Sequence, residues 1–344
     1  MKTNRSYGWS LMISMGLVFA AQGQDSVANN MLLYQRSVGG WPKHINEVKI
    51  DYTKVLTSAE KAGVADDLYR NDATIDNNAT TKEIRYLAKA YKQTGNKAYL
   101  DAAEKGIRYL LTMQYANGGF PQFFPDTSLY RNEITYNDNA MINALNVLWD
   151  VAHKTNGLDV VNASLIQSSE KAVEKAIDCI LNTQVKVNGR LTAWCAQYNK
   201  NTLQPAKARA FELISLSGME TVGIVEFLLK VQNPSPSIKN AINSAVAWLQ
   251  ASRIDGYRYV DVKDASLPKG YDRVLSPDSS STVWARFYDI ATNKPFFCGR
   301  DGIKKDKVAD IEYERRTGYA WYGTWPKELL EKKYPSWKKK HNLE

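Results

Sequence analysis

The 344-residue chain carries only three histidines, His44, His153 and His341. His341 lies in a lysine-rich tail and His153 in an amphipathic stretch, so a His-based triad or His-rich metal site is not expected. There is no Gly-x-Ser-x-Gly, no phosphate-binding loop and no His-Glu-x-x-His. Chemistry must therefore come from carboxylates, amides, lysines, arginines and tyrosines. Two acidic-amide clusters supply the first two, Thr74-Ile-Asp-Asn-Asn-Ala-Thr80 and Thr135-Tyr-Asn-Asp-Asn-Ala-Met141. Each directly precedes a helix-like stretch. Asp76, Asn77 and Asp138 offer hard oxygen ligands of the kind calcium takes. Without a dense EF-type loop, such a site would be open and completed by water or substrate. Asp76 and Asp138 equally suit the acid and base of a hydrolase, and the plain alternative for both clusters is helix N-capping.

Two further clusters are cationic. Lys207 and Arg209 sit in Pro205-Ala-Lys-Ala-Arg-Ala-Phe-Glu-Leu213, in a loop before a helix. Arg286 and Arg300 lie fourteen residues apart among aromatics. An arginine beside a ring is either a surface stack or salt bridge, or a fork that reads carboxylates at two points. Trp194 and Tyr198 are either a sugar-stacking platform or core.

The elements that must position these groups repeat. Gln35, Gln114, Gln184 and Gln250 each precede a glycine by four to six residues, at spacings of 79, 70 and 66. Gly39-Gly-Trp-Pro42 and Gly118-Gly-Phe-Pro121 match best. Helical periodicity runs over 80–94, 97–115, 139–154, 165–183, 221–231 and 238–249. Gly95 and Gly118 fall where helix ends favour glycine. Helical hairpins joined by Gly-aromatic loops must pack in series to bury their apolar faces. The expected fold is all-α, an α/α toroid with short β-ribbons confined to the Gly-aromatic loops.

Lys2, Arg5, the apolar run 11–21 and Ala20-Ala-Gln-Gly23 read as a secretory signal over residues 1–23, followed by one domain over 24–344. No later segment is long and apolar enough to span a bilayer. The net charge is +9, and +7 without residues 1–23. No basic run with interleaved aromatics precedes Lys338-Lys-Lys340, which argues against nucleic acid. In an exported protein, a periplasmic or secreted monomer by default, the charge suits an acidic polysaccharide. Cys179, Cys195 and Cys298 are too few for a zinc cage; one disulfide or three buried thiols are both open.

Taken in order across residues 33–325, Gly39-Gly-Trp-Pro-Lys43, the 74–80 and 134–141 segments, Gly118-Gly-Phe-Pro-Gln122, 205–213 and Trp284-Ala-Arg-Phe-Tyr-Asp289 resemble polysaccharide lyase family 10, the pectate lyases. The resemblance implies calcium-dependent β-elimination of polygalacturonate. It implies Arg209 as the base, Asp76, Asn77 and Asp138 at the calcium and central subsite, and Arg286 and Arg300 gripping substrate carboxylates. A non-catalytic binder of acidic glycans would not need Arg209. Arginine is an unusual base. Burial beside calcium and other arginines would lower its pKa, and activity would rise at alkaline pH.

Overall fold

The computed structural model describes residues 25–126 and 128–343. The expected signal segment, 1–23, lies outside them. The helices are α1 (Ser26–Tyr34), α2 (Ser58–Asp66), α3 (Thr81–Thr94), α4 (Lys97–Met113), α5 (Ala140–His153), α6 (Ser164–Thr183), α7 (Glu220–Leu228), α8 (Pro236–Ala251) and α9 (Tyr313–Gly318). A continuous C-terminal segment follows: α10 (Pro326–Glu328), a π-helical turn (Leu329–Lys333) and α11 (Tyr334–Lys340). No helix among the described residues is long and apolar enough to cross a membrane.

Six of these helices form three hairpins, α3 with α4, α5 with α6 and α7 with α8. α3, α5 and α7 contact one another in sequence, as do α4, α6 and α8 on the other layer. The result is the expected α/α toroid. Residue chemistry explains the layers. α5 buries nine of its fourteen residues, Leu145 and Leu148 completely, as an inner helix must. α4 and α6 bury one stripe and leave charged faces outside. α3 stops at Gly95, which takes the left-handed conformation (φ 72°) and donates to Tyr91 O at 2.7 Å.

The repeated glutamines have one structural cause. Gln35 Nε2 donates to Gly39 O (2.7 Å) and to Ala102 O of α4 (2.9 Å). Gln114 reaches Gly118 O (3.1 Å) and Ala172 O of α6 (2.8 Å). Gln184 reaches Thr192 O (2.8 Å) and Ala241 O of α8 (3.0 Å). Each glutamine thus closes its own loop and fastens it to the outer helix of the next hairpin. Gln250 breaks the pattern. It is exposed, and the chain after it enters a long antiparallel hairpin, Ile254–Lys263 with Tyr271–Ala285. This hairpin is an addition to the expected short ribbons.

Gly118 has a different role from Gly95. Its φ is 88°, and a Cβ there would lie 2.0 Å from Lys175 O on α6. Gly118→Ala is therefore expected to cost about 2 kcal/mol or more. Gly95→Ala, with nothing within 4 Å, costs about 1 kcal/mol from φ alone. Thermal melts of the two variants check the order.

Tryptophans seal helix ends, whose last carbonyls lack helical partners. Trp41 donates to Met31 O, Trp194 to Ile180 O and Trp284 to Leu249 O, at 2.7–2.8 Å. Trp194 and Tyr198 are fully buried, so they are core and not a stacking platform. All three cysteines are buried and free. Burial pushes the Cys179 thiol up to about 11 and the Cys195 thiol to about 12.

Candidate active site

Short ribbons tie successive loops together at one end of the hairpins. Ile134–Thr135 pairs with Gln197–Tyr198, and Leu216–Ser217 with Phe287–Tyr288. These pairings bring distant loops around one cleft of about 150 Å³, lined among others by Lys43, Asp76, Asn77, Asp138, Arg209 and Glu212. Four of the expected site residues therefore converge: Asp76, Asn77, Asp138 and Arg209.

Both acidic-amide clusters form one-turn 3-10 segments, Asp76–Asn78 and Asn137–Asn139. Neither provides a side-chain cap to the helix that follows, so N-capping is not their role. Asn77 (φ 50°), Asn78 (63°), Asp138 (51°) and Asn139 (58°) are left-handed, a conformation that Asn and Asp tolerate best among residues with a Cβ. The two turns match at an offset of 61 residues, which puts Asp76 opposite Asn137 and Asn77 opposite Asp138. Carboxylate and amide are exchanged between the copies.

Each carboxylate has a cation. Lys43 Nζ bonds Asp76 Oδ2 and stands 5.9 Å from the Phe123 ring. Arg286 Nη2 donates to Asp138 Oδ1 (2.8 Å), Glu220 Oε1 (2.7 Å) and Asn137 Oδ1 (3.1 Å). Glu220 also accepts from the Asp138 N–H (3.1 Å) and the Ser217 hydroxyl. Burial opposes the charge of Arg286, but Glu220, Tyr319 and Asp138 overcome it and raise its pKa.

Arg209 Nε donates to Glu212 Oε2 at 2.7 Å, and Nη2 to Oε1. Its guanidinium lies 4.7 Å from the Phe211 ring. Tyr319 joins the two arginine systems. Its hydroxyl donates to Glu212 Oε1 (3.1 Å), and its ring lies 4.6 Å from the Arg286 guanidinium. Burial works against the charge on Arg209, but the hydrogen bond and charge of Glu212 outweigh it and raise its pKa. The neighbour is a carboxylate and not another arginine; the expected lowering rested on calcium as well.

Arg286 and Arg300, expected to grip substrate carboxylates, stand in different surroundings. Arg286 is 3% exposed, and it holds Asp138 from behind the cleft wall. Arg300 is 65% exposed at its side chain, bonds Glu314 (3.1 Å) and does not line the cleft. Sequence reasoning also missed Lys43, Gln122, Arg131, Glu212 and Glu220. The repeat held a signal for two of them. Lys43 and Gln122 both follow the Gly-Gly-aromatic-Pro run and both line the cleft.

No group of three or more His, Cys, Asp or Glu side chains able to hold a metal occurs among the described residues. Asp76, Asn77 and Asp138 all line the cleft, with Lys43 on Asp76 Oδ2 and Arg286 and Asn137 on the two Asp138 oxygens. Oxygen donors without nitrogen or sulfur suit calcium, which takes six to eight. Three protein groups fit an open site that substrate and water must complete.

The family model for pectic acid lyase matches residues 35–330. The chain belongs to this family. Among solved structures, a variant of the family 10 polysaccharide lyase from Cellvibrio cellulosa, in complex with trigalacturonic acid, is 38% identical with a TM-score of 0.78. That match covers 89% of this chain and 90% of that one. The Cellvibrio cellulosa family 10 lyase in a second structure is 37% identical with a TM-score of 0.79, over 93% and 92%. Among curated proteins no match is found. The fold, the order of the motifs and the family agree, and this pectic acid lyase family member is a polysaccharide lyase enzyme.

Proposed function

We propose that the chain is a pectate lyase that cuts 1,4-linked polygalacturonate by calcium-dependent β-elimination, with Arg209 as base, releasing 4,5-unsaturated oligogalacturonates. The observation that carries this is the convergence of Arg209 with Asp76, Asn77 and Asp138 on one cleft, in a member of this family. The trigalacturonic acid held by the Cellvibrio variant supports a galacturonate substrate.

The C5 proton of a galacturonate is a weak acid, and its removal pushes charge onto the adjoining carboxylate, which the site must stabilise. Calcium held by Asp76, Asn77 and Asp138 would neutralise that carboxylate. Lys43 and Arg131 line the same cleft and add positive charge for a run of uronates. Glu212 and Phe211 fix the Arg209 guanidinium. Neutral Arg209 takes the C5 proton, the C5–H electrons form the C4–C5 double bond, and the C4–O bond breaks with its electron pair leaving on the oxygen of the next sugar, which takes a proton from water. Arg286 positions Asp138. The Arg300–Glu314 pair is exposed and costs at most about 1 kcal/mol to open, so Arg300 stays available to a substrate carboxylate.

The hydrolase alternative is disfavoured by one observation. Lys43 and Arg286 already hold Asp76 and Asp138, whereas a hydrolase needs both carboxyls turned to the scissile bond and its water. The test is ultraviolet absorbance of the unsaturated product from polygalacturonate, with calcium and then with chelator. A rise that chelator stops supports the lyase. New reducing ends without absorbance would point to hydrolysis.

A second expectation concerns pH. Glu212 raises the pKa of Arg209, so the neutral base appears only on the alkaline side. Glu212→Gln removes that charge, lowers the pKa and moves the acid-side limb of the kcat/KM profile to lower pH. A limb that stays in place or moves up would remove Arg209 from the base role.

We further infer that residues 24–344 act as one exported catalytic domain. Its polymeric substrate is extracellular, and its thiols are buried and unpaired.

A further inference from the structure

A second groove, enclosing about 1000 Å³, is lined by α3, α5, α7 and the C-terminal helical segment. It shares a wall with the active-site cleft. In each acidic-amide turn, one residue faces one side and the next faces the other. Asn77 and Asp138 line the cleft, while Asn78 and Asn139 line the groove.

The lining has three chemical parts. Lys82, Arg85, Lys230, Lys332, Lys333 and Lys340 bring six cations against two acids, Asp150 and Glu226. Those acids are already engaged, Asp150 by Arg85 (2.6 Å) and Glu226 by Lys333 (2.8 Å). Lys230 bonds only the Asn146 amide, and Lys332 and Lys340 have no carboxylate partner among the described residues. Five asparagine amides line it too; Asn143 Nδ2 donates to Asn78 Oδ1, Asn156 Nδ2 to Asp150 Oδ1 and Lys230 to Asn146 Oδ1, so the opposite ends of these amides and the Asn139 amide face the groove. Phe227 and Trp337 complete the wall as buried rings, packed against Trp149 and Tyr334.

Two buried polar atoms here lack partners. Trp337 is 4% exposed, and its Nε1 donor is unsatisfied. Asn139 Oδ1 is an unsatisfied acceptor. Buried polar groups are rarely left so. Gly223 keeps room for the Asn139 amide, since a Cβ there would lie 2.1 Å from Oδ1.

We propose that this groove is a second, non-catalytic binding site for an acidic saccharide bearing uronate carboxylates. The unpaired lysines take the carboxylates. The amides, the Trp337 N–H and Asn139 Oδ1 take hydroxyls, each of which both donates and accepts. A simple anion would use the lysines and leave the amides and the indole idle.

The test is a calorimetric titration of trigalacturonate into the Arg209→Ala protein, repeated with Lys230→Glu and Lys332→Glu added. Two binding events are expected in the first and one in the second. Trp337→Phe, which keeps the ring and loses the donor, is expected to weaken the second event at least fivefold, with the fold checked by circular dichroism. In the otherwise unaltered enzyme, the two charge reversals should leave kcat unchanged. A single event that the reversals do not alter overturns the proposal, and so does inorganic phosphate binding as tightly as trigalacturonate. Product absorbance appearing during the titration would count against Arg209 as base and not against the groove, because the groove is read as the difference between the two proteins.

Discussion

Arg209→Ala is expected to lower kcat on polygalacturonate by about 10²- to 10⁴-fold, the usual contribution of a positioned proton-transfer group. KM should change far less, because Lys43, Arg131 and the carboxylates of the cleft remain. Stability should fall as well, because Glu212, 7% exposed at its side chain, loses its cation and keeps the Tyr319 hydroxyl and the backbone N–H of residue 209. Arg209→Lys retains a positive charge but loses the two-point hold on Glu212, so it should fall close to the alanine variant. The measurement is initial rate by product absorbance, alongside a thermal melt. A variant with near-parental kcat would end the assignment of Arg209 as base. A variant that has lost its melting transition would say nothing of catalysis, and the lysine variant then decides.

The second large effect is expected from Arg286→Met. Arg286 and Glu220 are 3% and 0% exposed, so removing the arginine leaves a buried carboxylate without its cation. Breaking such a pair costs about 3–5 kcal/mol. A shift of the urea midpoint at unchanged slope reads that cost. Activity should fall too, because Asp138 loses the nitrogen that holds it at 2.8 Å. Adding Glu220→Gln to Arg286→Met removes the stranded charge. It should recover much of the stability while activity stays low. If the single variant were as stable as the parent, the buried network would not be structural. If the double variant regained activity, Arg286 would not be positioning Asp138.

Much of the scaffold was legible because its signals are local. All six helices of the hairpins lie within three residues of their expected bounds, since their apolar faces repeat at helical spacing. The two turns were legible as clusters, because left-handed backbone selects Asn and Asp. The long hairpin was not. Its first strand, Ile254–Lys263, is largely exposed and shows no steady alternation of apolar and polar residues, while Tyr271–Ala285 is mostly half-buried. The site was legible in part for the same reason. Arg209 and the turns sit in compact motifs, but the charges that hold them come from afar. Lys43 reaches Asp76 across 33 residues and Arg286 reaches Asp138 across 148. A single lysine or glutamate has no local signature, and only the fold brings it to its partner. The resemblance implied that Arg286 and Arg300 both meet substrate carboxylates, and the fold encloses one by Asp138, Glu220 and Tyr319 and leaves the other exposed beside Glu314.

The glutamine clamps also give the chain a direction in time. Every clamp reaches forward: Gln35 needs the carbonyl of Ala102, Gln114 that of Ala172, and Gln184 that of Ala241. A hairpin emerging from a ribosome or a membrane pore cannot fasten its loop until the following hairpin has also emerged. The structure then closes like a zip, each tooth locked by the one behind it and the last at Ala241. A truncation that removes Ala241 therefore unfastens the loop at Gln184, 57 residues upstream, whereas loss of a segment before Gln35 leaves all three clamps able to close.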